Sequence, residues 1–302
     1  MVDAVHPGRL VRDGYGLRAV FADAAENLMT RVLDRIRLHD GTVMQGFARI
    51  GDRWVFSQVT QAGRAGRRHA WHEAHGNLTL TLVSAAGARL GHMYLRGFGH
   101  GISISAQPAE TGFWVWAEAL SRPSTNKAGN VAGSGTAIAQ FRWNPGITLT
   151  ASSPHVRIYR SAAWGTHVSP CLDNAHNVMT VRYTDSSGVI WVTRYALDAF
   201  LQRDYTSPLS QTSEPPSSHW SQGWAVNGDS IMHYVGEPYS VTNPKPGDAQ
   251  VITYGTDGGL VGVREISYDL WLTHREPEGI TPTGCVGLAS GKRARRRASV
   301  YC

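Results

Sequence analysis

One phrase occurs twice in this chain, and the repetition limits the folds that the chain can adopt. Residues 45–53 read QGFARIGDR, and residues 222–230 read QGWAVNGDS. The shared pattern is Gln-Gly-aromatic-Ala-x-x-Gly-Asp, and an apolar segment follows each copy. Self-similarity at long spacing indicates a repeat architecture. The sequence therefore predicts a scaffold of repeated units, with function carried by that scaffold rather than by a single catalytic motif.

Short strand-like segments occur along almost the whole chain. Residues 54–59, 77–83 and 178–183 are examples, and turns rich in Gly, Asn or Asp separate such segments. The 33 Gly and 10 Trp residues are typical of an all-β chain with many short strands. Only residues 22–37 have apolar positions near helical spacing, and this segment reads either as a helix or as loop and strand.

The repeated units each open with a polar residue near a glycine or asparagine. The predicted openings are Gln45, His100, His176, Gln222 and Glu278. Their mean spacing of about 58 residues is close to the length of a four-stranded propeller blade with its loops. The sequence therefore predicts one all-β domain over residues 1–302, a single β-propeller of about five blades.

A propeller has to close its ring. Residues 16–21 are the first strand candidate, and residues 298–301 are the last. Pairing the two would remove two free strand edges at once, so we predict closure by the N- and C-terminal strands. Residues 1–21 then form an arm and the closing strand, and residues 22–302 form the blades. The polar segment 207–218 is expected to be a surface loop between blades.

The formal charge of +6 favours anionic partners, or serves solubility alone. Part of the excess lies in residues 292–297, which we expect to form a solvated hairpin tip. Cys171, Cys285 and Cys302 are too few for a disulfide framework, and their odd number predicts free thiols in a reducing compartment.

The chain shows no signal-peptide pattern at Met1 and no run of 18 apolar residues. We therefore expect no standard secretion and no membrane anchor. We also expect no nucleic-acid partner.

Most motifs that carry chemistry are missing. His72 and His75 resemble a zinc-protease motif, but one residue too few lies between them. The sequence contains no P-loop, no G-x-S-x-G elbow and no dinucleotide fingerprint. We accordingly predict no metal and no cofactor.

Polar residues near the unit openings remain as candidates for a site. The innermost strands of a propeller line a central channel, so side chains at their starts either meet a ligand or pair with a neighbouring blade. The candidates are Gln45, His100, Glu118, Arg182, Gln222 and Glu278.

These candidates differ in character. Gln45 and Gln222 recur with their glycines, which favours a structural role for both. His100 lies between two glycines, which leaves open a ligand contact or a hydrogen bond between blades. Trp164 and Trp220 lie in polar loop sequence and are the better exposed aromatics for stacking on a sugar ring.

Several of these stretches resemble one family. Residues 45–48 (QGFA), 91–101 (GHMYLRGFGHG), 113–116 (FWVW) and 276–280 (EPEGI) are similar to the β-propeller of tail receptor-binding proteins from Gram-positive phages. Proteins named teichoic acid biosynthesis protein C share that propeller. The resemblance covers roughly residues 15–302, and MYLRGFGHG is its most specific part.

The resemblance implies a five-bladed propeller on a phage tail tip or baseplate, which binds cell-wall glycopolymer and is usually a trimer. Other tail proteins are then its partners. The missing signal and the expected free thiols fit a virion protein that folds in the host cytoplasm. The chain lacks the stem of a self-standing trimer, so we expect the propeller to sit on another tail protein.

Two alternatives from other functional classes stay open. The first is a hydrolase or lyase of the same polymer, with Glu118, Glu278 or His100 as acid or base. The second is a purely structural tail component. No pair of carboxylates can be placed together from the sequence, so the enzyme is the weaker reading.

Overall fold

Five sheets form the blades of a propeller. The structure is a computed structural model that describes residues 29–125, 129, 131–214, 220–272, 274–291 and 296–302, with the backbone of residues 9–13 and 16–20. The first blade contains β4 (Met44–Ile50), β5 (Arg53–Val59), β6 (Leu78–Ser84), β7 (Arg89–Arg96) and β13 (Thr148–Thr150). The second contains β8 (Ser105–Pro108), β9 (Phe113–Ala119), β12 (Ala137–Arg142) and β14 (Arg157–Tyr159).

The remaining three blades have four strands each. The third contains β15 (Thr166–Asp173), β16 (Val178–Thr184), β17 (Ile190–Ala196) and β18 (Ser210–Ser213). The fourth contains β19 (Ser221–Asn227), β20 (Ser230–Val235), β21 (Gln250–Gly255) and β22 (Leu260–Glu265). The fifth contains β23 (Arg275–Ile280), β24 (Val286–Ser290), β25 (Arg297–Tyr301) and β3 (Arg31–Ile36).

A few elements lie outside the blades. Two antiparallel hairpins are formed by β1 (Arg9–Asp13) with β2 (Gly16–Val20), and by β10 (Arg122–Thr125) with β11 (Val131–Ser134). The short helices are α1 (His69–Ala74) and α2 (Leu197–Leu201). In the described part of the chain, no helix is both long and apolar enough to cross a membrane.

The hydrophobic core consists of layers between neighbouring blades. Leu80 of the first blade and Phe141 of the second belong to one layer, and Trp116 of the second and Met179 of the third belong to the next. Each strand exposes side chains to both faces of its sheet, so a sheet between two layers is apolar on both faces. For this reason β5, β6 and β12 are almost continuously buried. The predicted all-β propeller of five blades is confirmed.

The ring closes through a strand from the N-terminal part of the chain, but not through the predicted one. β3 pairs antiparallel with β25, and Leu33 of β3 packs with Phe56 of the first blade. The predicted closing segment, residues 16–21, instead provides β2, which pairs with β1. Of the two readings of residues 22–37, strand is correct for Arg31–Ile36. The buried Leu33 and Ile36 are three residues apart, as in a helix, because the register of β3 against β25 is irregular. Residues 22–28 lie outside the described part.

The cysteine prediction needs a correction. Cys285 and Cys302 form a disulfide, and only Cys171 is a free, buried thiol. Cys285 directly precedes β24 and Cys302 directly follows β25, so antiparallel pairing of these strands brings the two residues together. Sequence spacing did not reveal the pairing, because it depends on which strands become neighbours in the fifth blade.

Two boundaries also differ from the prediction. His176 lies in the turn between β15 and β16, so the third unit opens earlier, near Thr166. Within the polar segment 207–218, Ser210–Ser213 is the outer strand of the third blade rather than loop. Residues 292–295 lie outside the described part, and the run that contains them connects β24 to β25.

Candidate functional site

The repeated Gln-Gly phrase marks a β-bulge at the start of an inner strand. The register of β4 against β5 shifts at Gln45, and that of β19 against β20 shifts at Gln222. Similar shifts enclose Glu278 in β23 and His167 in β15. A bulge inserts a residue that has no partner in the ladder and re-aims its side chain. The polar residues at the openings are therefore bulge residues, except His100, which lies in the loop before β8.

Glycines at these bulges bring the blades into backbone contact. A Cβ atom on Gly46 would lie 2.7 Å from the carbonyl oxygen of Gly101, and one on Gly223 would lie 2.9 Å from Cα of Gly279. A Cβ atom on Gly279 would lie 3.0 Å from Cα of Gly46. The dipeptides that begin with Gln45, His100, Gln222 and Glu278 are thus neighbours at the centre of the ring.

His167 completes this group in the third blade. The segments that carry His100 and His167 meet at Gly135: Glu118 accepts hydrogen bonds from the backbone N–H groups of His100 and Gly135, and the backbone N–H of Val168 donates to the carbonyl of Gly135 across 3.0 Å. We call Gln45, His100, His167, Gln222 and Glu278 the axial cluster. His167 is absent from the predicted site because the third opening was predicted at His176, which instead pairs with Asp173 across 2.7 Å in a turn.

Glu118 supports the axial cluster through hydrogen bonds to the backbone of the His100 loop. Its carboxylate accepts hydrogen bonds from the backbone N–H groups of His100 (3.2 Å), Gly101 (3.1 Å) and Gly135 (3.2 Å). Burial raises the pKa of Glu118 to about 7, although these backbone donors oppose the shift. The glycines allow the loop to wrap this closely, because a Cβ atom on Gly99 would lie 2.2 Å from Oε2 of Glu118. Glu118 therefore fixes the loop that presents His100.

His100 combines a fixed backbone with an unsatisfied side chain. Its Nδ1 atom is buried without a hydrogen-bond partner in the described part of the chain, while the residue as a whole is half-buried. Burial, and then the charges of His167 and His69, lower the pKa of His100 to about 4. The imidazole is therefore neutral at pH 7 and offers one donor and one acceptor.

The two other titratable members of the axial cluster have pKa values shifted toward their neutral forms. Partial burial of the imidazole, and then the charge of Arg182, lower the pKa of His167, whose Nε2 atom lies 3.4 Å from Oγ of Ser124 in β10. Burial and the nearby Glu276 raise the pKa of Glu278 well above its ordinary value. Gln45 is half-buried, and Nε2 of Gln222 donates to the carbonyl of Gly236 across 2.8 Å. Donors and acceptors whose pKa values are shifted toward their neutral forms suit hydroxyl groups better than ions.

Arg182 is committed to an internal ion pair. Its guanidinium makes a bidentate contact with Glu214, with Nη2 to Oε1 at 3.0 Å, and both side chains are buried. Nδ1 of His233 lies 3.4 Å from the same carboxylate. These groups line a small cavity of about 10 Å³, room for about one water molecule, between the third and fourth blades. The prediction that Arg182 contacts a ligand is not supported by this geometry.

The two candidate tryptophans differ in exposure. Trp220 is 53% exposed, as predicted. Trp164 is only 4% exposed, because it packs against Phe200 and Tyr205 inside the third blade. The expectation that Trp164 is exposed is therefore wrong. Its neighbours in sequence are polar, but the fold brings Phe200 and Tyr205 against its ring.

The fold and the axial cluster define a five-bladed β-propeller with polar bulge residues at its centre. Its structure resembles "Tail fiber of Staphylococcus aureus phage P68", with a TM-score of 0.65 and 14% identity over 91% of this chain and 52% of that one. In sequence, the chain is 24% identical over 293 residues to "Putative major teichoic acid biosynthesis protein C" of Bacillus subtilis (strain 168).

The resemblance to this class of propeller is confirmed. The sequence match covers 91% of this chain and 62% of the Bacillus subtilis protein, so the chain spans less than two thirds of that relative. No family model matches the chain.

Proposed function

We propose that this propeller is a tail component of a phage or phage-like particle that adsorbs to the glycopolymer of a Gram-positive cell wall, such as teichoic acid. The observation that carries the proposal is the fold match to a phage tail fibre over 91% of the chain. The name of the Bacillus subtilis relative supports the choice of polymer. The protein then acts in the virion, alongside other tail or baseplate proteins.

The axial cluster is the proposed contact for the sugar or polyol part of the polymer. Gln45 and His100 are half-buried and His167 is exposed, so all three offer surface to a ligand. The exposed ring of Trp220 lies two positions before Gln222 in the sequence. Because Glu118 is saturated by backbone donors, it orders the site rather than moving protons. This arrangement favours adhesion over hydrolysis.

Several copies per particle are needed for adhesion of this kind. A few hydrogen bonds of about 0.5–1.5 kcal/mol each give roughly millimolar affinity. Attachment of several propellers to one particle raises the effective affinity by about 10²–10⁴. We therefore propose a homo-oligomer, such as a trimer, in the assembled tail.

Sedimentation with purified cell walls tests the proposal. We expect retention on intact walls, loss of retention on walls stripped of phosphodiester-linked polymer, and no release of sugar or phosphate. We expect His100→Ala and His167→Ala each to weaken retention about two- to tenfold, the effect of one lost hydrogen bond.

The matched control is His155→Ala, which removes an exposed histidine between β13 and β14. His100→Ala should leave the thermal midpoint nearly unchanged, because the buried Nδ1 atom has no partner to lose. Equal retention by stripped walls would contradict the proposed polymer, and a large fall in the midpoint would assign His100 a structural role.

A further inference from the structure

A positively charged cleft lies on the first blade, away from the axial cluster. His39, Arg89, Leu90, Gly91 and His92 line an open space of about 460 Å³ beside β7. Arg64, Tyr94 and Arg96 extend this surface. We call His39, Arg64, Arg89, His92, Tyr94 and Arg96 the rim cleft.

The rim cleft has an excess of positive charge. Asp40 is the carboxylate that acts on its histidines and arginines, and its side chain is fully buried. Asp40 accepts hydrogen bonds from Thr79 Oγ1 at 2.7 Å and from the backbone N–H of Gln61 at 3.0 Å, and Arg64 lies 3.3 Å away. Among the described residues, this buried carboxylate acts on Arg64 and Arg96, and Arg89 adds a further positive charge, so the outer surface of the cleft is cationic.

Two of the arginines are held against the same aromatic ring, and one of them, Arg96, has no ion pair among the described residues. The guanidinium carbons of Arg64 and Arg96 each lie 5.5 Å from the ring centroid of Tyr94. Nδ1 of His72 accepts from Nη1 of Arg96 at 3.4 Å, and Nε2 of His72 donates to the carbonyl of Arg64 at 3.0 Å. Among the described residues, Arg96 forms no ion pair, and Nε of Arg64 is buried without a partner.

Stacked imidazoles form the other wall of the cleft. The rings of His39 and His92 are 3.5 Å apart and nearly parallel, and Arg64 Nη2 donates to Nε2 of His39 at 2.8 Å. Tyr94, Asp40 and Arg89 also face this pair. Burial, and then neighbouring positive charge, lower the pKa of His39 and of His92. An anion in the cleft would act in the opposite direction and favour their protonation.

We propose that the rim cleft binds the phosphodiester group of a polyol-phosphate or sugar-phosphate polymer. Arg64 and Arg96 supply charged donors to the phosphate oxygens, and the Tyr94 ring supports both guanidinium groups. The inference rests on the proposed function for the identity of the polymer, but the anion site itself does not. Phosphate and hydroxyl groups of one chain would then be bound at two places, the rim cleft and the axial cluster.

Calorimetric titration of the full chain with glycerophosphoglycerol tests the proposal. Arg96→Gln is the informative variant, because it removes charge without breaking the Arg64–Asp40 pair. We expect Arg96→Gln to weaken binding about tenfold, the usual loss for a hydrogen bond to a charged group. The matched control is Arg142→Gln, which removes a guanidinium stacked on Trp114 in the second blade and should leave binding unchanged.

The pH dependence supplies a second readout. The phosphodiester keeps its charge between pH 8 and pH 5, so any change in affinity reports on the protein. His39 and His92 are neutral at pH 7 and gain charge as the pH falls, so binding should tighten toward pH 5. His92→Gln should remove part of that tightening.

Three outcomes would overturn the inference: equal loss in Arg96→Gln and Arg142→Gln, binding that weakens toward pH 5, or binding of oligothymidylate without binding of glycerophosphoglycerol. Failure of wall retention with intact phosphodiester binding would instead count against the proposed function and leave the anion site standing.

Discussion

One group of buried polar side chains lies where the third and fourth blades meet. Arg182 and Glu214 belong to the third blade, and His233 of the fourth blade lies against the same carboxylate. Burial disfavours the carboxylate form of Glu214, but Arg182 and then His233 outweigh this effect and lower its pKa to about 2. Arg182, which suggested ligand binding in the sequence, therefore neutralises a buried carboxylate of its own blade at the boundary with the fourth blade.

We predict that Arg182→Ala lowers the free energy of unfolding by about 3–5 kcal/mol, because it leaves Glu214 buried without its cation. The double variant Arg182→Met/Glu214→Leu should recover most of that loss, since it removes both charges and keeps the volume. Urea unfolding of the three proteins measures these differences.

Wall retention of the folded double variant is the control for function. It should equal that of the wild type, because neither side chain of the pair reaches the surface. Weaker retention would indicate that Arg182 contributes to ligand binding.

At the scale of elements, the inner strands depend on glycines placed beside bulges. The Gln-Gly phrase repeats because each bulge needs a residue without a side chain where the next blade's backbone approaches. Gly46 faces the carbonyl oxygens of Gly101 and Ile102, at 2.7 Å and 3.0 Å from an ideal Cβ position. Backbone atoms of a packed ring cannot retreat as a flexible side chain can.

We predict that Gly46→Ala destabilises the protein by about 1–3 kcal/mol, the usual cost of overpacking. The matched control is Gly262→Ala in β22, where no atom lies within 4 Å of the new Cβ position. That control should be neutral or slightly stabilising, since alanine reduces the freedom of the unfolded chain. Thermal unfolding of both variants measures the difference, and equal midpoints would contradict steric contact at the ring centre.

The sequence predicted the elements whose signal is local, and it failed where the signal depends on neighbours in space. Alternation and turn residues identified β5, β6 and β16, and the repeated phrase identified unit openings at Gln45 and Gln222, which the structure shows to be bulges. The third opening was misplaced because His167 lacks an adjacent glycine; its neighbours are Thr166 and Val168. The ion partner of Arg182 and the burial of Trp164 follow from blade packing, which no local pattern encodes.

At the scale of the whole molecule, stability depends on how the ring is closed. β3 and β25 come from opposite parts of the chain, and Leu33 and Val300 pack in the layer between the fifth and first blades. Thr30 and Cys302 continue this pairing, with backbone hydrogen bonds of 2.6 Å and 2.9 Å. Opening this edge would expose a complete inter-blade layer, so closure couples the two ends of the described propeller.

The disulfide between Cys285 and Cys302 fastens the closing blade, and its removal tests how much closure contributes. The bond spans 17 residues, and a loop of that size corresponds to about 3 kcal/mol in the chain-entropy description. We predict that Cys302→Ser lowers the free energy of unfolding by about that amount in oxidised protein. Reduced wild type should match the variant, and reductant should not affect the variant further.

Chemical unfolding of both proteins, with and without reductant, makes the comparison. A wild type that is insensitive to reductant would contradict the prediction and would mean that pairing of β3 with β25 closes the ring without covalent help. The axial cluster provides the functional readout. If closure holds the bulge residues in register across the centre, Cys302→Ser should lose wall retention at a lower temperature than the wild type, in step with its lower unfolding midpoint.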